Sequence, residues 1–141
     1  MSYRFEAAPN ALVAERRAQF IALGVPAVIV DAVTGRLGGE LWDDQATSWV
    51  YEWSAEAAQA ESRRDLLTAS LCHGIAKYPC LASPPHAHAY AEQLRTYLAA
   101  ASGFPLPFER RVLDIEYHGD ATPVPVHIYR RPGGSSRVPW C

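Results

Sequence analysis

The sequence has no surplus of basic charge, and Lys77 is its only lysine. Its 13 Lys and Arg residues are balanced by 15 Asp and Glu residues, so the formal net charge is −2 at pH 7. Nucleic acids and anionic membranes attract proteins through concentrated positive charge. We therefore expect neither nucleic acid nor a membrane as a partner.

Long apolar runs and paired cysteines are also missing. No segment approaches the roughly 18 consecutive apolar residues of a membrane span. No basic segment followed by an apolar run forms a secretion signal at the N-terminus. Cys72, Cys80 and Cys141 make an odd count, which favours reduced thiols over a disulfide framework. These features predict a cytoplasmic protein.

The motifs of common catalytic and nucleotide-binding sites are absent. A serine hydrolase of the α/β type needs Gly-x-Ser-x-Gly to hold its nucleophile on a tight turn. The nearest match, Gly133–Arg137, has arginine in place of the last glycine. No Ser-x-x-Lys surrounds Lys77, and no glycine loop for phosphate or dinucleotide is present. We therefore expect no catalytic residue and no cofactor. A hydroxyl side chain beside a histidine that is itself held by an acid would contradict the expectation of no catalytic residue.

Potential metal ligands are concentrated between positions 72 and 88 but lack metal-site spacing. A structural zinc site needs about four nitrogen or sulfur ligands. Neither Cys-x2-Cys nor His-x3-His occurs here, and a buried cysteine also serves as a small apolar residue. We predict no metal site, with His86 and His88 as solvated residues of a first helical turn. The residues concerned are Cys72, His73, Cys80, His86 and His88.

Apolar periodicity and capping residues predict five helices before position 107. Asn10 and Ser83 are good N-caps, Pro84 suits a first turn, and Pro79 bars continuation of a helix. The predicted helices run from Asn10 to about Leu23, from Pro26 through Leu37, from Asp44–Thr47 to about Glu61, from Ser62 to Tyr78, and from Ser83 to about Ala101.

Residues at helical spacing predict which face of each later helix is buried. The third helix has Trp49, Trp53, Ala57 and Ala60; the fourth has Leu67, Leu71, Ile75 and Tyr78; the fifth has Tyr90, Leu94, Tyr97 or Leu98, and Ala101.

After Pro107 the apolar period changes from helical to two, which predicts a β-hairpin. Leu113, Ile115 and Tyr117 alternate with polar residues, Gly119-Asp120 supplies a turn, and Val124, Val126 and Ile128 continue the apolar face. Pro123 and Pro125 leave one edge without donors, as in an outer strand. The predicted fold is α+β, mainly α, without a complete α/β-hydrolase core: a helical domain at 1–107, a hairpin at 108–131 and a flexible tail at 132–141.

An aromatic group with one acid is the candidate pocket. Core packing between helices is the preferred explanation of aromatic residues at these spacings, and the alternative is that some of them roof a substrate pocket. The acid, Glu52, is expected to pair with Arg95 or Arg110, or to contact a ligand. The candidate pocket residues are Trp49, Tyr51, Glu52, Trp53 and Tyr78.

Four ordered segments carry a resemblance to a known family: WVYEW at 49–53, GIAKYPCLA at 74–82, FPLPFERR at 104–111 and VPVHIYRR at 124–131. Together they resemble the N-terminal helical cap of one branch of the α/β-hydrolase superfamily. That branch contains the fermentation/respiration switch protein, 2,6-dihydropseudooxynicotine hydrolase and hydrolases of secondary metabolism. The resemblance implies a cap that ends in a two-stranded ribbon, with the Ser-His-Asp triad beyond these residues. It also implies hydrolysis of an ester or C–C bond in a small aromatic or polyketide-like substrate.

Two further functions stay open on the sequence. The first is a stand-alone homodimer that buries its hairpin faces and binds a ligand, or guides a cyclisation by shape. The second is a partner-binding module in which the free edge of the hairpin adds to another protein's sheet.

Overall fold

A computed structural model describes residues 9–38, 40–81 and 83–131. Five helices followed by an antiparallel hairpin confirm the predicted fold class. The predicted tail and the Gly133–Arg137 segment lie outside the described residues. Among the described helices, none is long and apolar enough to cross a membrane. The elements are α1 Pro9–Ala22, α2 Ala27–Arg36, α3 Trp49–Ser62, α4 Leu66–Ala76, α5 Pro84–Ala100, a 3-10 turn Ala101–Gly103, β1 Phe108–Tyr117 and β2 Asp120–Tyr129.

The chain forms two compact units, Met1–Ala100 and Ala101–Cys141. The predicted domain boundary after Pro107 coincides with the start of β1, whereas the helical unit already ends with α5.

The core of the helical unit is built around the two tryptophans of α3. Trp49 and Trp53 are fully buried, and the Phe20 ring of α1 lies against both, with centroids 5.9 and 5.4 Å away. Trp49 Nε1 donates to the Ile75 carbonyl at 2.8 Å. That carbonyl belongs to the last turn of α4, whose carbonyls have no partner within the helix. The predicted face of α3 is therefore confirmed, including Ala57 and Ala60.

The buried face of α4 differs from the predicted one. The helix begins after Asp65, whose carboxylate accepts from the Thr68 amide at 3.2 Å, and not near Ser62. Leu67 is 45% exposed, while Ala69, Cys72 and Ala76 are fully buried. Small side chains occupy this face because α4 packs between α3 and α5. The predicted face is confirmed for Ile75, which is buried, and for Leu71 and Tyr78, which pack partly buried against the core. It was wrong for Leu67, because close helix packing favours small residues at the α3 and α5 contacts.

On α5 the predicted face is only partly buried. Tyr90 and Leu98 are exposed, whereas His86, Ala89 and Thr96 are buried. Thr96 Oγ1 donates to the Glu92 carbonyl at 2.7 Å, so its hydroxyl is satisfied within the helix. The predicted buried position of Tyr90 and the predicted solvation of His86 were therefore both wrong, since α5 turns its small and polar residues inward.

The hairpin has the predicted apolar face but a different turn. His118 and Gly119 have φ of 54° and 88°, the positive values that a two-residue hairpin turn requires, and Asp120 already belongs to β2. Leu113 is opposite Val124, which places both predicted apolar stripes on one face. Leu113, Ile115 and Tyr117 are exposed.

The two prolines of β2 make its outer edge unable to donate hydrogen bonds. The residues that flank a two-residue turn form a hydrogen-bonded pair, so pairing alternates along the strands from that point. Pro123 and Pro125, opposite Asp114 and Val112, are at the positions whose nitrogens face away from β1. This agrees with the prediction of an outer strand.

We predict that Trp49→Phe destabilises the helical unit by at least about 1 kcal/mol more than Trp53→Phe. Both changes remove the same atoms from the core, but Trp53 Nε1 has no hydrogen-bond partner in the described part of the chain, whereas Trp49 Nε1 has one. Urea unfolding of the two variants measures the difference. Equal losses would show that the hydrogen bond to Ile75 contributes nothing beyond packing.

Candidate ligand-binding site

A cleft of about 260 Å³ lies in the helical unit between α1, α4 and α5. Its walls are mainly apolar, and three polar side chains, Arg16, Gln19 and Gln93, border it. Such a combination of apolar walls and a few convergent polar groups is typical of small-molecule sites. The apolar border consists of Phe20, Leu23, Leu71, Ile75 and Tyr78, with Gly74 between them.

Of the residues that the structure describes, Arg16 is the only charged one that borders this cleft. Its Nη1 donates to Gln19 Oε1 at 2.7 Å, and its guanidinium carbon lies 5.5 Å from the centre of the Tyr78 ring. Its Nε is buried and has no hydrogen-bond partner among the described residues. The aromatic face stabilises the cation. The Nε–H group of Arg16 is still available as a hydrogen-bond donor to a ligand.

Gln93 supplies a second polar atom without a partner. Its Oε1 is buried and unpaired within the described residues. The amide lies against α4 at Gly74, where an added Cβ would come within 2.8 Å of Gln93 Nε2. Glycine at this position therefore makes room for the amide, a close approach that any other residue would disturb.

A second depression of about 390 Å³ shares Gly74 and Tyr78 with this cleft. It continues along the segment that follows α4, past Lys77, whose ammonium lies 4.7 Å from the centre of the Tyr90 ring. The exposed Cys80 borders this depression. Cys72 instead lies in the core, where burial raises the pKa of its thiol to about 12. Cys72 is thus an unreactive core residue, as the sequence indicated.

The structure separates the five candidate pocket residues. Tyr78 borders both depressions, while Trp49 and Trp53 are enclosed in the core and border neither. Tyr51 is exposed, and Glu52 accepts from Arg36 Nε at 2.7 Å instead of from Arg95 or Arg110.

Arg16 and Gln93 escaped the sequence analysis because they come from helices far apart in the chain. The only local signal at either is Gly74 within an otherwise helical pattern, a residue that indicates close packing.

A serine, a histidine and an acid do meet at the start of α5. Ser83 Oγ lies 2.7 Å from His86 Nδ1 and donates to Asp44 Oδ1 at 2.9 Å. In a catalytic triad the acid holds the far nitrogen of the imidazole. Here Asp44 contacts the serine. His86 Nε2 is buried without a hydrogen-bond partner in the described part of the chain. Burial lowers the pKa of His86, and the Tyr78 backbone partly opposes that change. The arrangement is a local polar contact at the start of α5, in which Asp44 and His86 share the Ser83 hydroxyl.

Within the described ranges one group of residues has metal-ligand proximity: Glu61, His73 and Glu92, whose ligand atoms lie within 4.8 Å of one another. Arg95 Nη2 bonds to both carboxylates, at 2.5 Å for Glu61 and 2.7 Å for Glu92. The guanidinium already supplies the positive charge that the two acids attract. His73 is the only one of the five residues considered from the sequence that belongs to this group.

No protein-family model matches the chain, and no curated protein matches it. Among solved structures the chain is similar to one titled AbyA5 wild type, with a TM-score of 0.59 and 24% sequence identity. The match covers 72% of this chain and 29% of that chain. At this identity the likeness shows the fold alone, and this chain corresponds to less than a third of the length of that structure.

We predict that the helical unit loses stability as the pH falls from 7 to 5.5. Burial lowers the pKa of His73 and His86 below 6.5, against opposing effects of Glu92 and Asp44. Just below pH 6.5 the unfolded chain therefore binds more protons than the folded one, so stability is present above that pH and lost below it. The loss is at most about 1.4 kcal/mol per pH unit for each histidine.

Urea unfolding at the two pH values measures this loss. His73→Asn combined with His86→Asn should reduce it, and the matched change at the exposed His88 should leave it intact. An undiminished loss in the double variant would refute the assignment.

We predict that a fluorophosphonate probe leaves Ser83 unmodified. The hydroxyl donates its only proton to Asp44, so the imidazole is not placed as a base held by an acid. Intact mass spectrometry before and after incubation is the measurement, with Ser83→Ala as the control. An adduct on the unmodified sequence that Ser83→Ala abolishes would establish an activated serine here.

Proposed function

We propose that this chain is the cap portion of an α/β-hydrolase-family enzyme that acts on an ester or C–C bond of a small aromatic or polyketide-like substrate. The catalytic triad would be supplied by a core outside these residues, and the cap would contribute apolar walls that exclude water from the site. The substrate class rests on the resemblance of the four ordered segments to that family.

The exposed apolar hairpin is the observation that carries the proposal. Leu113, Ile115 and Tyr117 are 44%, 46% and 66% exposed. A two-stranded hairpin is marginally stable in water by itself, and three or more strands with a covered face are needed for independent stability. A larger sheet with a covering layer, as in a catalytic α/β core, meets both requirements.

The length relation to the similar structure supports the same proposal. The match covers 72% of this chain and 29% of the other, so the shared fold is one part of a longer chain there. A cap followed by a catalytic core has this proportion, since the core is the larger part of such enzymes.

A stand-alone homodimer is the second candidate, favoured by the edge of β1. The outward-facing positions of β1, Val112, Asp114 and Glu116, all have amide donors, whereas β2 has prolines at 123 and 125. Two copies that pair through β1 would form a four-stranded sheet and bury apolar surface. Light scattering separates the candidates, because a monomer at all concentrations excludes the dimer.

The test of the hydrolase proposal compares the isolated chain with the protein in its natural source. We expect the natural product to exceed the 15.5 kDa of this chain and to react with a fluorophosphonate probe outside these residues. Ile115→Lys should change the stability of the isolated chain by less than about 0.5 kcal/mol, because the side chain is exposed there. The same change should destabilise the longer protein strongly, because it places a charge under the core.

Glu116→Lys, on the opposite hairpin face, is the control for added charge on β1. A natural product of 15.5 kDa that does not react with the probe would end the hydrolase proposal. An Ile115→Lys effect of equal size in the isolated chain and in a longer protein would contradict the proposed covering of the hairpin.

A further inference from the structure

We propose that the cleft between α1, α4 and α5 binds a small planar aromatic carboxylate that also carries a hydroxyl donor. Arg16 would hold the carboxylate, the apolar walls would enclose the ring, and Gln93 Oε1 would accept from the hydroxyl. All residues that border the cleft belong to the helical unit. The inference is therefore independent of whether a catalytic core exists.

The charge of the ligand follows from how the arginines of the helical unit are paired. Arg17 bonds to Asp31, Arg36 to Glu52, and Arg95 to Glu61 and Glu92. Arg16 has no carboxylate partner among the described residues. A guanidinium with a buried, unpaired Nε that borders a largely apolar cleft is matched by a carboxylate, which accepts two parallel hydrogen bonds from such a group.

The aromatic and aliphatic side chains that border the cleft favour a ligand with a planar aromatic body. The Phe20 and Tyr78 side chains border the cleft together with Leu71 and Ile75. Aromatic rings pack favourably against other rings in offset or edge-to-face arrangements. An apolar ring system therefore gains contacts that an aliphatic acid of the same charge does not, and the small volume of the cleft limits the ligand to few rings.

The donor on the ligand follows from Gln93. A buried carbonyl oxygen without a partner costs free energy, which a donor from a ligand recovers. Gly74 permits the amide to lie against α4, so Gln93 Oε1 is positioned by packing before any ligand binds. Removing this acceptor should lower the preference for a hydroxyl on the ligand without removing the preference for a carboxylate.

Isothermal titration calorimetry of this chain with 6-hydroxy-2-naphthoate tests the proposal. We expect saturable one-to-one binding, at least tenfold weaker binding of 2-naphthol, which lacks the carboxylate, and weaker binding of 2-naphthoate, which lacks the hydroxyl. Arg16→Gln should weaken the binding of 6-hydroxy-2-naphthoate at least tenfold. Arg17→Gln removes the same charge one residue away, outside the cleft, and should leave the affinity within twofold.

Gln93→Leu provides the second arm of the test. It should bring the affinities of 6-hydroxy-2-naphthoate and 2-naphthoate to within twofold of each other. Thermal unfolding confirms that each variant is folded before binding is interpreted. Failure of the hydroxynaphthoate to bind saturably, equal binding of 2-naphthol, or an equal effect of Arg17→Gln would each overturn the proposal. Those failures would leave the hydrolase proposal untouched, since it depends on the hairpin and the intact mass of the natural protein.

Discussion

The hydrogen bond from the Trp49 indole to the Ile75 carbonyl is the contact on which the arrangement of the helical unit depends. It joins the first turn of α3 to the last turn of α4, where the Ile75 carbonyl also accepts from the Tyr78 amide just beyond the helix. Around it, Phe20 and Trp53 pack their rings against Trp49. Because the Ile75 side chain borders the cleft, this contact in the core also positions one wall of the candidate site.

The salt bridges of the helical unit distinguish charged side chains that are already paired from Arg16, which is available to a ligand. Arg36 forms salt bridges with Glu52 and Glu56, and Arg95 forms them with Glu61 and Glu92, so these charges neutralise one another. Exposed ion pairs contribute little to stability, although the Glu56 carboxylate in this set is buried. All of these pairs remove their members from consideration as binding groups. Arg16 differs because its neighbours are Gln19 and an aromatic ring. A largely apolar cleft bordered by one such cation and by Gln19 and Gln93 discriminates by charge and by shape together.

Close packing explains both the misassigned helix faces and the origin of the cleft. Ala69, Cys72 and Ala76 on α4, and Ala89 and Thr96 on α5, are small enough for neighbouring helices to approach closely. Larger residues such as Leu67 and Tyr90 then lie outside the contact. At Gly74 the approach is close enough that Gln93 occupies the space a side chain would fill. The space that remains beside α1 is the candidate site.

Periodicity by itself determined the number of helices, the change to strands after Pro107 and the apolar face of the hairpin, because these follow from local spacing and from turn residues. It also identified Trp49 and Trp53 as one buried stripe. Only the tertiary structure decided that Tyr78 alone of the five candidates borders the cleft, that Glu52 pairs with Arg36, and that Arg16 and Gln93 border the same cleft. Arg16 and Gln93 lie more than 70 positions apart, and the spacing of residues along one helix contains no information about which other helix it meets.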